Sequence, residues 1–266
     1  MKHSLPAALL LLIRAWAQPA TTEHMETIDG VQIHYETRGA GEPVILLHGA
    51  SGSSQDWLAS ISDLENNFQL IIPDMRGHGR STNPSPVFRH DEASRDIIGL
   101  LDRLGIQAFK GIGVSAGGNV LLHIATKYPD RVRAMVIVSA TPYFPEHARA
   151  IMRQYPASIT EKDREVLRGR HPGGDAHVNA VISYGRAFAD SYDDMNFTPP
   201  YLATIKARTL IVQGDRDPLY PVELSVEMAR AIPKSSLWII PNAGHGPVLG
   251  ERWADFLKSA ITFLRD

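Results

Sequence analysis

Two kinds of apolar spacing alternate along this chain. Short apolar runs, Pro43-Val44-Ile45-Leu46-Leu47 and Phe68-Gln69-Leu70-Ile71-Ile72, stop at His48-Gly49 and Pro73-Asp74. Such runs suit strands covered on both faces of a parallel sheet. Between later runs the spacing changes to that of a helix. Ala93, Ile97, Leu100, Leu101 and Leu104 fall on one helical face, and Gly105 supplies the stop. The same reading predicts a strand at 108–114, a helix at 116–127 broken by Tyr128-Pro129-Asp130, and a strand at 132–138. Upstream, 25–35 reads as two short strands around Asp29-Gly30, a strong hairpin dipeptide. Downstream, strands at 209–213 and 237–240 alternate with helices at 222–231 and about 251–264.

Alternating strands and helices joined by short links argue for an α/β fold, with a mostly parallel sheet covered by helices. The stretch from about 141 to 200 departs from that rhythm. It has no buried strand, several helix-like pieces, many aromatics and the break His171-Pro172-Gly173-Gly174. It is expected to be a helical insertion lying over the sheet. The expected organisation is one domain over 18–266 with that cap inside it.

The first residues follow different rules. Lys2 and His3 precede the apolar run Leu5 to Ile13, and Ala15-Trp16-Ala17 gives a small-x-small site before Gln18-Pro19. This is the pattern of a secretory signal over 1–17, with a mature chain starting near Gln18 and a periplasmic or secreted destination. Arg14 interrupts the pattern, and the alternative is an ordinary N-terminal extension on a cytoplasmic protein. The run is shorter than the roughly 20 residues a membrane span needs.

Composition narrows the chemistry. The 266 residues include 27 Lys and Arg against 29 Asp and Glu, a formal net charge of −2, and both signs are spread along the chain. There is no basic run to hold a nucleic acid. The absence of cysteine excludes disulfides, thiolate metal sites and a cysteine nucleophile. No metal-ligand spacing occurs, and no metal or organic cofactor is expected.

The candidate chemistry lies in turns rich in small residues. Gly113-Val114-Ser115-Ala116-Gly117 follows a predicted strand and opens a predicted helix, the context that G-x-S-x-G requires. A tight turn there lifts the Ser115 hydroxyl above the sheet, near the positive end of a helix. A serine needs a base, and the base needs an orienting partner. His245, in Gly244-His245-Gly246 between the last strand and the last helix, can supply the base. Gly214-Asp215-Arg216-Asp217-Pro218 can supply the acid, with Asp217 preferred and Asp215 the alternative. Either aspartate could instead simply cap the next helix. His48-Gly49-Ala50-Ser51-Gly52 places small residues after another strand, and the N–H groups of Ala50 and Ala116 are the candidate oxyanion donors. Trp57, Tyr143, Phe144 and Phe188 are candidates to line an apolar acyl pocket, although most such aromatics simply pack.

Together Leu46-Leu47-His48-Gly49, Asp74-Met75-Arg76-Gly77-His78-Gly79-Arg80-Ser81, the serine pentapeptide, Gly214-Asp215-Arg216-Asp217-Pro218 and Gly244-His245-Gly246 resemble the α/β-hydrolase superfamily. The likeness is to its small esterases and enol-lactone hydrolases. It implies the α/β-hydrolase fold with a helical cap, and a structural role for Asp74, Arg76 and His78. The relatives of similar outline that form alkyl-enzymes carry aspartate where this chain has Ser115, so an acyl-enzyme route is expected. The expected activity is hydrolysis of a small-molecule carboxylic ester or lactone. Acyl transfer, thioester cleavage, C–C hydrolysis and perhydrolysis use the same residues, and a receptor-like binding protein is a further alternative.

Overall fold

The computed structural model describes residues 22–266. The expected leader at 1–17 lies outside the described residues. No described helix is long and apolar enough to cross a membrane.

The chain enters as a hairpin, β1 (Thr22–Ile28) and β2 (Val31–Arg38), with Ile28 opposite Val31. Both turn residues have positive φ, 46° at Asp29 and 84° at Gly30. That is the type I′ geometry whose twist matches a hairpin. Six further strands follow: β3 (Pro43–Leu47), β4 (Gln69–Pro73), β5 (Phe109–Val114), β6 (Val132–Val138), β7 (Arg208–Gly214) and β8 (Ser235–Ile240). Their order in one sheet is β1-β2-β4-β3-β5-β6-β7-β8. The pairs involving β2 are antiparallel and all the others are parallel.

Alternation along each strand splits the core in two. Ile45, Leu47, Met135 and Ile137 face α2 (His90–Arg103), α3 (Ala116–Lys127) and α8 (Val222–Ala231). Val44, Leu46, Val136 and Val138 face α1 (Ile61–Glu65) and α9 (Trp253–Arg265). With helices on both faces, the parallel strands tolerate no polar alternation, and their runs are accordingly apolar. The chain passes from β3 to β4 on one side and then returns to β5 on the other. The carboxyl ends of β3 and β5 therefore flank the point where strand order reverses, the place where open α/β sheets bind ligands.

The connection from β6 to β7 holds α4 (Glu146–Ser158), α5 (Glu161–Arg170), α6 (Gly174–Ala187), a 3₁₀ turn at Phe188–Asp190 and the short α7 (Pro199–Leu202). Thr160 and Asp163 form a reciprocal capping box at the start of α5. The expected break separates α5 from α6, where Gly174 takes φ 74°. Arg149 organises the connection from inside. Its guanidinium donates to the carbonyls of Phe144, Phe188, Ala189 and Ser191.

Most predicted elements occur within two residues of their expected bounds. The hairpin extends three residues beyond its expected bounds at each outer end, over 22–38, and two helix starts are shifted for identifiable reasons. α2 starts at His90, ahead of its first apolar position, because the Asp194 carboxylate accepts the N–H groups of His90 and Asp91 at 2.8 and 3.0 Å. The last helix begins at Trp253, after a 3₁₀ turn at Gly250–Arg252 has absorbed the first predicted residues.

The Asp74–Ser81 turn is built as a polar knot. Asp74 accepts from the N–H of Ser54, the N–H of Arg80 and the ring of His34. Burial alone would raise its pKa, yet these bonds and the nearby His48 hold it at about 2. Arg76 pairs with Asp96 and Glu92 on α2.

Candidate active site

Ser115 sits between β5 and α3 with φ 50° and ψ −113°. A non-glycine residue in that region stores on the order of 1–3 kcal/mol. The neighbours hold it there. Its N–H donates to the Val138 carbonyl at 2.7 Å, and its carbonyl accepts from the Asn119 N–H at 2.9 Å. The helix start is pressed against β3, and a Cβ on Gly117 would overlap the carbonyl groups of Leu47 and His48. Small residues in this turn are therefore a packing requirement.

Asp217 and His245 reach the same place from two loops. Asp217 follows β7, and His245 follows β8. A Cβ on Gly214, at the end of β7, would overlap the carbonyl oxygens of Ala243 and Gly244. That close approach brings the two loops together. His245 Nε2 lies 2.9 Å from Ser115 Oγ, and its Nδ1 lies 2.8 Å from Asp217 Oδ2. The other Asp217 oxygen accepts the N–H groups of Leu219 and Tyr220, at 2.8 and 3.1 Å. Gln213 Nε2 donates to Oδ2 at 2.9 Å. Burial opposes the charged form of Asp217, but the bond and charge of His245 and the two backbone N–H groups outweigh it and lower the pKa. An ionised Asp217 fixes the proton on Nδ1 and leaves Nε2 free to accept from the serine.

Asp215, the alternative acid, is exposed and accepts the Ala243 N–H at 3.0 Å. It braces the loop that carries His245 and does not meet the ring.

Ala50 and Ala116 line the same cavity as Ser115. Among the described residues neither N–H is engaged in a hydrogen bond. Ala116 opens α3, whose first N–H groups have no partner within the helix. The loop carrying Ala50 is held from both sides. His48 donates from Nδ1 to the Gly49 carbonyl at 2.8 Å and accepts the Met75 N–H on Nε2 at 3.0 Å. Ser51 Oγ meets the Tyr155 hydroxyl of α4 at 2.9 Å. His171, at the end of α5, donates from Nε2 to the Ser51 carbonyl at 3.2 Å and accepts the Gly79 N–H on Nδ1 at 2.9 Å.

The cavity has a volume of about 520 Å³. Its floor is the sheet edge and its roof is α4 and α6. Of the four aromatics nominated from sequence, Trp57 and Phe188 lie in its wall. Tyr143 and Phe144 do not. Tyr143 is exposed and its hydroxyl donates to Glu227, 3.3 Å away. Phe144 is buried behind the wall, stacked on Phe188 and Tyr220. Tyr155, another of the cap aromatics, also lies in the wall, and reasoning from sequence missed Asn119, Ile151, Met152, Tyr220 and His90. The helical face of α4 was the only available signal for Ile151 and Met152. Arg170 and Asp56 also contribute to the wall and pair with each other at 2.7 Å. A second hollow, along α8, contains neither serine nor histidine.

Among the described residues no cluster of His, Asp or Glu has the arrangement of a metal site. The arrangement at Ser115 offers a polarised hydroxyl, a base and unengaged N–H donors at one point.

Comparison with known proteins agrees with the architecture. The profile of the α/β-hydrolase-fold family matches residues 42–173, and a TAP-like protein profile matches 194–264. The chain is 30% identical to the serine hydrolase BPHL of Mus musculus, covering 89% of this chain and 84% of that one. It is 28% identical to a 2-hydroxy-6-oxo-6-phenylhexa-2,4-dienoate hydrolase of Comamonas testosteroni, over 88% and 91% of the two chains. Among solved structures, the enol-lactonase from Burkholderia xenovorans superposes with a TM-score of 0.73 at 21% identity, covering 91% of this chain and all of that one. With this sheet order and these relatives, the chain belongs to the α/β-hydrolase superfamily of hydrolases.

Proposed function

We propose that this hydrolase cleaves a carboxylic ester or lactone through an acyl-enzyme on Ser115. The observation that carries the reading is the unbroken relay of Ser115 Oγ, His245 and Asp217, opening into a mainly apolar cavity. Ser115 Oγ attacks the carbonyl carbon as His245 Nε2 takes its proton. The carbonyl oxygen becomes an alkoxide, and the N–H groups of Ala50 and Ala116 receive its charge. The intermediate collapses, His245 returns the proton to the leaving alkoxide, and the alcohol departs or stays attached when the ester is cyclic. Water, deprotonated by the same ring, then releases the acid and restores the serine.

Asp217 supports the transient imidazolium and fixes its orientation. The strained Ser115 backbone keeps the hydroxyl in line with both the ring and the donors.

The test is a panel of esters and lactones of graded acyl length, run on the wild type and on Ser115→Ala. Turnover is expected to vanish in the variant, together with labelling by a fluorophosphonate probe. Equal turnover by the two proteins overturns the reading.

A further inference from the structure

The loop that carries Ala50 breaks a local rule. The Gly52 N–H donates to the Gly49 carbonyl at 3.1 Å, which closes a turn with Ala50 and Ser51 at its corners. Ser51, the second corner, takes φ 61°. Turns with positive φ at that corner favour glycine or asparagine there. This chain has serine instead, and two contacts hold it in place. Its hydroxyl meets the Tyr155 hydroxyl at 2.9 Å, and its carbonyl accepts from His171 Nε2 at 3.2 Å. Both partners belong to the cap, on α4 and at the end of α5. A loop of the sheet edge is thus kept in an unfavourable conformation from above.

That turn decides where the Ala50 N–H points. The N–H shares a planar trans peptide unit with the Gly49 carbonyl, so the two point in opposite directions. The carbonyl is turned into the loop by the Gly52 N–H and by His48 Nδ1. The N–H is left facing away from both. This peptide lies beside the nucleophile, since a Cβ on Gly49 would stand 3.7 Å from Ser115 Cβ. Relaxing Ser51 out of its positive φ would open the turn and rotate the peptide.

Tyr155 is itself seated. Its ring lies against Gly185 of α6, where an added Cβ would come within 2.9 Å of two ring carbons. The missing side chain gives the ring its place, and both residues line the cavity around Ser115.

We propose that Tyr155 is a positioning residue for the oxyanion hole: through Ser51 Oγ it keeps the turn in the conformation that aims the Ala50 N–H at the developing alkoxide. The cap then completes the catalytic apparatus as well as roofing the cavity. This rests on the serine-hydrolase reading given above. Loosening the turn weakens a contact that only the alkoxide makes in full, and the neutral carbonyl of the bound substrate loses little. The effect therefore falls on kcat and spares KM.

The experiment measures kcat and KM on one ester that the wild type hydrolyses, and inhibition by a trifluoromethyl ketone of matched chain length, whose adduct with Ser115 carries an oxyanion. Tyr155→Phe, Ser51→Ala and the double variant are compared with wild type. Tyr155→Phe keeps a ring in the wall. It is expected to lower kcat by about three- to tenfold, the scale of one lost hydrogen bond, to weaken the ketone by the same factor and to leave KM unchanged. The double variant is expected to be no slower than Ser51→Ala. Gly185→Ala pushes the Tyr155 ring aside while improving helix propensity, so it tests the same link if Tyr155→Phe does not fold. It is expected to weaken the ketone, with no added effect on top of Ser51→Ala. Unchanged kcat and ketone affinity in Tyr155→Phe, or a change confined to KM, overturns the role of Tyr155 alone. Wild-type ketone affinity in Gly185→Ala does so too, as do losses that multiply in the double variant. A wild type that hydrolyses no ester or lactone of the panel and resists a fluorophosphonate overturns the serine-hydrolase reading, and this proposal with it.

Discussion

Replacing Asp217 by asparagine changes one charge and almost no volume, and its effect can be worked out bond by bond. One Asp217 oxygen accepts two backbone N–H groups, from Leu219 and Tyr220. In the Asp217→Asn variant the remaining side-chain oxygen is drawn to that position, since an NH₂ there would face two donors. The NH₂ then occupies the place of Oδ2, 2.8 Å from His245 Nδ1. It can only donate, so Nδ1 must give up its hydrogen and Nε2 must carry it. The ring now points N–H at Ser115 Oγ and cannot take the serine proton.

The same wrong-tautomer substitution in a serine protease lowers kcat by about 10⁴, equivalent to roughly 5.4 kcal/mol at about 1.36 kcal/mol per tenfold. We expect a loss of that order here. The fold should survive. Gln213, whose Oε1 has no partner among the described residues, can rotate its amide to accept from the new NH₂ group, at the expense of its bond to the Tyr220 carbonyl. The net cost of one exchanged bond is about 0.5–1.5 kcal/mol. The assay pairs ester turnover with urea unfolding for Asp217→Asn and Asp215→Asn. Asp215→Asn should stay within a fewfold of wild type, because Asp215 is exposed and braces the loop only through the backbone N–H groups of Asn242 and Ala243. A fast Asp217→Asn beside a dead Asp215→Asn would refute the reasoning and exchange the two roles.

Two further outcomes follow from packing and protonation. Gly117→Ala drives a methyl group into the carbonyl groups of Leu47 and His48, and should destabilise the fold by about 1–3 kcal/mol or more, read as a lowered urea midpoint; an unchanged midpoint would show that the contact yields. Stability should also fall on acidification between about pH 6.5 and 4. Burial, chiefly, holds His123 and His171 neutral down to about pH 4, whereas the unfolded chain takes up those protons near the ordinary histidine value of about 6.5. Within that window the unfolded state binds more protons, so each residue removes about 1.4 kcal/mol per pH unit as pH falls, and neither matters above it. Asp74, held at about 2, adds its own loss only below the ordinary aspartate value. Unfolding free energies that are flat between pH 7 and 5 would contradict this.

The strands were legible because both faces of the sheet are covered, which leaves unbroken apolar runs. The bounds of α3 and α8 were legible because a small-residue turn and a proline precede them. Ser115, Asp217 and His245 could be nominated because each lies in a glycine-rich turn directly after a strand, and in this topology such turns gather at one edge. What escaped the sequence are contacts between side chains remote along the chain with no periodic signal. Asp194 caps α2 from about a hundred residues away, and Ser51 meets Tyr155 across a similar separation. Arg149 reads as a surface charge until its four carbonyl partners are seen. Tyr143 and Phe144 were nominated together, but adjacent residues in an extended segment point to opposite sides, and here neither reaches the cavity.

The Asp194 carboxylate also bears on how ligands come and go. It joins the returning end of the β6–β7 connection to the start of α2 through two backbone amides and a ring, and Tyr143 pairs with Asn196 beside it. Lifting this flank would strip a buried charge of all its donors at once. Traffic is therefore confined to the side where wall residues stay open to solvent, at Ile151, 43% exposed, and Leu249, 62% exposed. The doorway is framed by two aliphatic side chains that no hydrogen bond restrains, so its width can be retuned by mutation while the opposite flank stays bolted.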